Sequence, residues 1–272
     1  MKKYLFLLWA LPACSMPAKE DPTELAQPIV EEGKMLYRSE MASWYGTDLF
    51  RDFYREQDKI GGYFSYADKD KTKCIFFSNA DTPEVIGTIT FDSTFIPDKA
   101  TIELAVRPFT DTEEELYTIR TRALYAMVND SFFRRYEKTD WNLVPLISNN
   151  EKKVYVLTGP AEDGVVILGN DYLLTFDKAY ALVDQKRLHK SMLTLPYEPG
   201  TTSEGGMHTH LPETGDFITA TDICTLMLYG KYTGWKQHIV VSDKYVNIWD
   251  CTTNKLTVIP AAQYNKTKEG RK

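Results

Sequence analysis

Histidine and cysteine are both scarce in this chain, four of each among 272 residues. The cysteines (Cys14, Cys74, Cys224 and Cys251) include no Cys-x-x-Cys pair, so no cysteine-based zinc site is indicated. Charge of one sign is not concentrated anywhere. The 32 basic and 38 acidic residues are interspersed and give a formal net charge of −6. Without a basic stripe, a nucleic-acid partner is excluded as an expectation. Beyond the first fourteen residues no run is long and apolar enough to cross a bilayer, and no internal repeat is visible. What remains is a composition with 43% hydrophobic and 13% aromatic residues, enough for one large core or two modest ones.

The chain opens with a targeting pattern. Lys2-Lys3 is a basic start, and Tyr4 to Ala13 is an apolar run of about ten residues. Leu11-Pro12-Ala13-Cys14 resembles a bacterial lipobox, in which the cysteine is lipidated and becomes the mature N-terminus. The expectation is an exported protein held to a membrane through Cys14, in the periplasm or at the cell surface. The alternative is a secretory signal cut near Ala13. Residues 1–13 are then the signal and 14–30, polar and proline-containing, a tether. Of the remaining cysteines, Cys224 and Cys251 either form a disulfide or stay as buried thiols.

The rest reads as an α+β fold. Residues 31–59 are apolar at helical steps, with Gly46 expected to break or bend the helix. Strands are expected at 62–66, 73–77, 85–91 and 101–106, an antiparallel meander. Residues 111–137 carry acids first and Arg134-Arg135 last, the polarity that suits a long helix. From 142 the pattern returns to strands, with Gly169-Asn170-Asp171 as a turn. Residues 181–193 are ambiguous between strand and helix. A strand over 205–210, a helix over 221–231 and closing strands at 237–241, 245–249 and 255–259 follow. The halves divide near residue 140, giving an N-terminal α+β region (31–140), a C-terminal mixed α/β region (141–262) and a polar tail (263–272).

One constellation carries chemistry. His208-Thr209-His210 places two imidazoles on one face of a strand, because alternate residues point the same way. Asp222 follows twelve residues after His210, in the first turn of the expected helix. Two imidazoles and a carboxylate make a divalent-metal site. The bland alternative is a strand face that tolerates histidine and a Thr219-x-x-Asp222 pair that only caps a helix. His189 and His238 have no partners in sequence and read as structural or surface residues.

His-x-His followed by Thr219-Ala220-Thr221-Asp222 resembles the JAMM (MPN-plus) metalloprotease family, whose pattern is an upstream Glu, His-x-His, seven residues, then Ser-x-x-Asp. Here eight residues intervene, Leu211 stands where the family usually has Pro, and Thr219 replaces Ser. The resemblance covers roughly 140–260 and implies a JAMM-like α/β half. It implies zinc held by His208, His210 and Asp222, with a bound water as nucleophile. It also implies Glu151 as the base, with Glu162 and Glu204 as competitors, and Thr219 as a donor to the oxyanion. The implied reaction is hydrolysis of an amide or isopeptide bond in a peptide or a cell-wall substrate. Two other readings stay open: a non-enzymatic envelope lipoprotein, and a lipoprotein that binds a peptide or glycan without metal.

Overall fold

The structure, a computed structural model, describes residues 20–198 and 200–269. The signal and Cys14 lie outside the described residues. Among the described residues, five α-helices and four sheets form an α+β fold. None of the described helices is long and apolar enough to cross a membrane.

Helix starts earlier than the composition of the tether suggests. α1 (Pro22–Leu25) and α2 (Gln27–Phe53) are separated by Ala26 alone, and each carries Pro near its first position. Ala26 and Val30 are buried, so residues 22–30 belong to the folded body rather than to a tether. The buried stripe of α2 runs Val30, Gly33, Leu36, Ser39, Ser43, Gly46 and Phe50, at three- and four-residue steps. Gly46 does not break the helix. A Cβ there would meet the Cys74 side chain at 2.8 Å, so its small size lets the helix lie close on the sheet beneath.

That sheet is the expected meander: β1 (Ile60–Asp68), β2 (Lys71–Ser78), β3 (Val85–Phe91) and a short β4 (Thr101–Glu103), all antiparallel. α3 spans Asp111–Asn129 and stops before Arg134-Arg135. Its start is fixed by a capping box in which Thr110 and Glu113 satisfy each other's backbone N–H groups. Leu116, Ile119, Ala123 and Met127 give its buried face.

A second antiparallel sheet takes the order β5 (Thr139–Ser148), β6 (Glu151–Pro160), β8 (Tyr172–Phe176), β9 (Leu182–Arg187). Between them β7 (Val165–Gly169) leaves this sheet and pairs with β10 (Met192–Pro196). The ambiguous stretch 181–193 is therefore two strands joined by a bend at 188–191. The last sheet has the order β11 (Ser203–Thr209), β12 (Trp235–Val241), β13 (Tyr245–Asp250), β14 (Lys255–Pro260). β11 and β12 are parallel and joined through α4 (Ala220–Thr233). The tail is helical from the start, as α5 (Ala261–Glu269).

The two halves share one core. Leu36, Phe50, Cys74 and Phe91 from the first half cluster with Val144, Tyr155, Cys224 and Leu228 from the second. Cys74, Cys224 and Cys251 are free thiols, so no disulfide joins α4 to β13.

Candidate metal centre

The crossover from β11 through α4 to β12 decides where the site forms. In a parallel strand–helix–strand unit, the helix begins near the C-terminal end of the strand before it. His208 stands near the end of β11, His210 directly follows it, and Asp222 stands in the first turn of α4. His210 extends the ladder, its N–H donating to Val241 O at 2.8 Å. The intervening loop is held by fully buried Asn247. Its Oδ1 accepts from Ile218 N at 3.2 Å and its Nδ2 donates to Asp216 O at 3.1 Å.

Thr219 caps α4, and its capping box aims Asp222. Thr219 Oγ1 accepts from Asp222 N at 3.0 Å and donates to Asp222 Oδ2 at 2.7 Å, while Thr219 N donates to the same oxygen at 3.0 Å. The helix-capping reading and the ligand reading are thus the same geometry, and the Thr219 hydroxyl is spent on positioning Asp222. His210 Nε2 lies 3.2 Å from Oδ2, and His208 Nε2 lies 3.7 Å from Oδ1. The two Nε2 atoms are 3.1 Å apart.

A third imidazole enters from a part of the chain that offered no signal. His189, on the bend between β9 and β10, puts Nε2 at 3.3 Å from Asp222 Oδ1. The donor atoms of His189, His208, His210 and Asp222 all lie within 4.8 Å of one another. Metal–nitrogen bonds of about 2.0–2.1 Å in a tetrahedron put ligand atoms roughly 3.3 Å apart, close to these separations. His189 Nε2 and Asp222 Oδ1 are buried without a hydrogen-bond partner. Orphaned buried polar atoms are costly and call for an occupant. The cluster fits a divalent cation.

Groups behind the donors set their lone pairs. His210 Nδ1 donates to Phe217 O at 3.0 Å, which leaves Nε2 free to ligate. His208 Nδ1 faces His238 Nε2 at 2.9 Å. His238 comes from β12, in register with Gly206, where a Cβ would stand 2.9 Å from its ring. Asp171 Oδ2 lies 3.8 Å from His189 Nδ1, beyond hydrogen-bond reach, and its Oδ1 accepts from Thr158 N at 2.9 Å. All four histidines of the chain therefore meet in one network. Their scarcity was the only sequence signal that could have linked His189 and His238 to the pair on β11.

The electrostatics favour a cation. Burial pushes the Asp222 carboxyl up, but the imidazoles around it win and hold it well below the usual carboxylate range. Burial lowers His189, and the Asp222 carboxylate more than restores it, so it ends above its usual value. Burial pushes His208 and His238 down to about 4, which keeps both neutral and ready to ligate or support a ligand. Burial raises Asp171 to about 6.

No glutamate joins the cluster among the described residues. Glu151 begins β6 and pairs with Lys153, its side chain mostly exposed. The end of β6 that touches the network is Thr158, seven residues on, or roughly 23 Å at strand rise. Glu162 pairs with Lys138 and Glu204 with Lys236, both exposed. The structure brings together His208, His210, Asp222 and Thr219 from the expected set, adds His189, and leaves Glu151 apart.

The cluster is not sealed. A cleft of about 460 Å³ opens against His189 and His208, between β10 and β11. No family model, curated protein or solved structure matches this chain.

Proposed function

We propose that the chain is an exported, lipid-anchored, metal-dependent amide hydrolase of JAMM-like type, with zinc as its metal. The observation that carries the reading is the convergence of four donor groups, three buried and His208 half-buried, at the wall of an open cleft. Zinc suits the set because imidazole nitrogen outnumbers carboxylate oxygen; calcium and magnesium favour oxygen shells. Bound zinc would supply a Lewis acid and a water made acidic enough to attack a carbonyl near neutral pH. The chain's own residues do the positioning. Thr219 fixes Asp222, the Phe217 carbonyl fixes His210, and His238 steadies His208. The cleft gives a substrate bond access to the face formed by His189 and His208.

A second reading has its own observation. Three imidazoles and a carboxylate complete a tetrahedral shell, as structural zinc sites do, and no glutamate joins them among the described residues. On that reading zinc only braces β11, α4 and the 188–191 bend in a non-enzymatic envelope protein.

The test is elemental analysis of the mature protein together with turnover of a mixed set of peptides and cell-wall amides. The hydrolase reading expects about one zinc per chain and turnover that disappears in His208→Ala/His210→Ala. Stoichiometric zinc without turnover on any amide would favour the bracing role. No zinc at all, even after supplementation, would sink both.

A further inference from the structure

The cleft beside the cluster has a composition that the metal alone does not account for. Leu168, Met192, Leu193, Met207 and Leu211 line it, and Met207 and Leu211 are 53% and 42% exposed. Apolar side chains left open beside a polar cluster mark a place for an apolar ligand group. No aspartate or glutamate lines the cleft. One lysine does. Lys190 is exposed and has no acidic partner among the described residues.

Residues of β10 and β11 line the cleft, and each of these strands has one unpaired edge. β10 is one of only two strands in its sheet, and β11 is the outermost strand of its own. Edge strands offer unpaired main-chain groups, which an extended peptide can satisfy. We infer that this cleft takes the C-terminal residue of a peptide, its apolar side chain against Met207 and Leu211 and its free carboxylate against Lys190. The inference rests on the hydrolase reading for the bond that is cut, and it makes that activity an exopeptidase from the C-terminal end. The spacing agrees. A terminal carboxylate lies one residue, about 3.3–3.6 Å of extended chain, from the last amide. Lys190 directly follows His189, so one end of that residue can meet the lysine while the amide faces the imidazoles.

The experiment compares acetyl-Ala-Leu with its C-terminal amide on the zinc-supplemented mature protein, by calorimetry for binding and mass spectrometry for cleavage. The free acid is expected to bind about fivefold more tightly, the worth of a partly exposed ion pair. Lys190→Ala should erase that preference, Lys190→Arg should keep it, and Lys190→Glu should reverse it. Equal affinity for acid and amide in the wild type overturns the inference and leaves the hydrolase reading to its own test. The same is true of a preference that survives in Lys190→Glu. Selective, Lys190-dependent binding without cleavage of either peptide keeps the carboxylate site and counts against the hydrolase reading instead.

Discussion

Zinc should stabilise this fold through four side chains drawn from three separate elements, and the effect can be sized. His189 is carried by the 188–191 bend, His208 and His210 by β11 and its end, and Asp222 by α4. Unfolding scatters them, so the metal binds the native state preferentially. At free zinc a thousandfold above Kd, linkage gives about 4.1 kcal/mol. In a chain of this length 1 kcal/mol moves Tm by roughly 2 °C, so zinc should raise Tm by about 8 °C over protein held in EDTA. His208→Ala/His210→Ala removes two of the four donors and should bring the zinc-dependent shift to about zero, measured against the variant's own EDTA baseline, which falls because buried Asp222 loses the His210 beside it. pH provides a second axis. Asp222 raises His189 above its usual imidazole value against the lowering effect of burial, so the proton competes with the metal there. Zinc binding must release that proton, and the shift should shrink from pH 8 to pH 6. Differential scanning fluorimetry reads all of this. A full shift in the double variant, or none in the wild type under saturating zinc, would refute the assignment of the cluster as a metal centre.

Three further outcomes follow from groups outside the site. Glu40, raised to about 7 by burial against a single Asn142 hydrogen bond, stabilises in its neutral form. Its contribution is complete below the unfolded carboxyl value and fades as pH rises through 7, so Glu40→Gln should raise Tm at pH 8 and leave it nearly unchanged at pH 4.5; a larger gain at pH 4.5 would reverse the sign. Glu113 has a fully buried side chain. Burial raises its carboxyl, but Arg107, Thr110 N and Tyr66 together lower it to about 2. Its stabilisation holds above pH 4.5 and fails only toward pH 2. Glu113→Ala should cost about 2–3 kcal/mol at neutral pH, measured by urea unfolding, by stranding Arg107 and opening the α3 cap; a cost under 0.5 kcal/mol would contradict the packing described. Gly46→Ala drives a methyl into Cys74 and should cost about 1–3 kcal/mol despite the better helix propensity of alanine. A stabilised variant would mean that α2 does not lie so close to β2.

The metal centre was partly legible in the chain because part of it is local. His208 and His210 share a strand face by period alone, and Asp222 is three residues past its N-cap, so strand and capping patterns locate three donors without tertiary knowledge. The same logic placed the meander, the start of α3 and the closing strands. It failed where packing overrode local preference. Proline and polar residues at 17–28 suggested a tether, yet Pro22 and Pro28 sit in first-turn positions where proline is at home. Gly46 suggested a break, yet its missing side chain is what the contact with Cys74 requires. Arg134-Arg135 suggested a helix end that lies several residues too late.

By itself the sequence determined the α+β character, the pair on β11 and the capped carboxylate of α4, since each depends on residue type and short-range period. The tertiary structure alone decided that β10 turns away to pair with β7 and so carries His189 to Asp222. It alone set β12 parallel to β11, which brings His238 behind His208. It also left Glu151 at the far end of β6. These depend on which strand edges meet, and strand pairing is a long-range choice made by the burial of whole faces, on which the spacing of four histidines along the chain has no bearing.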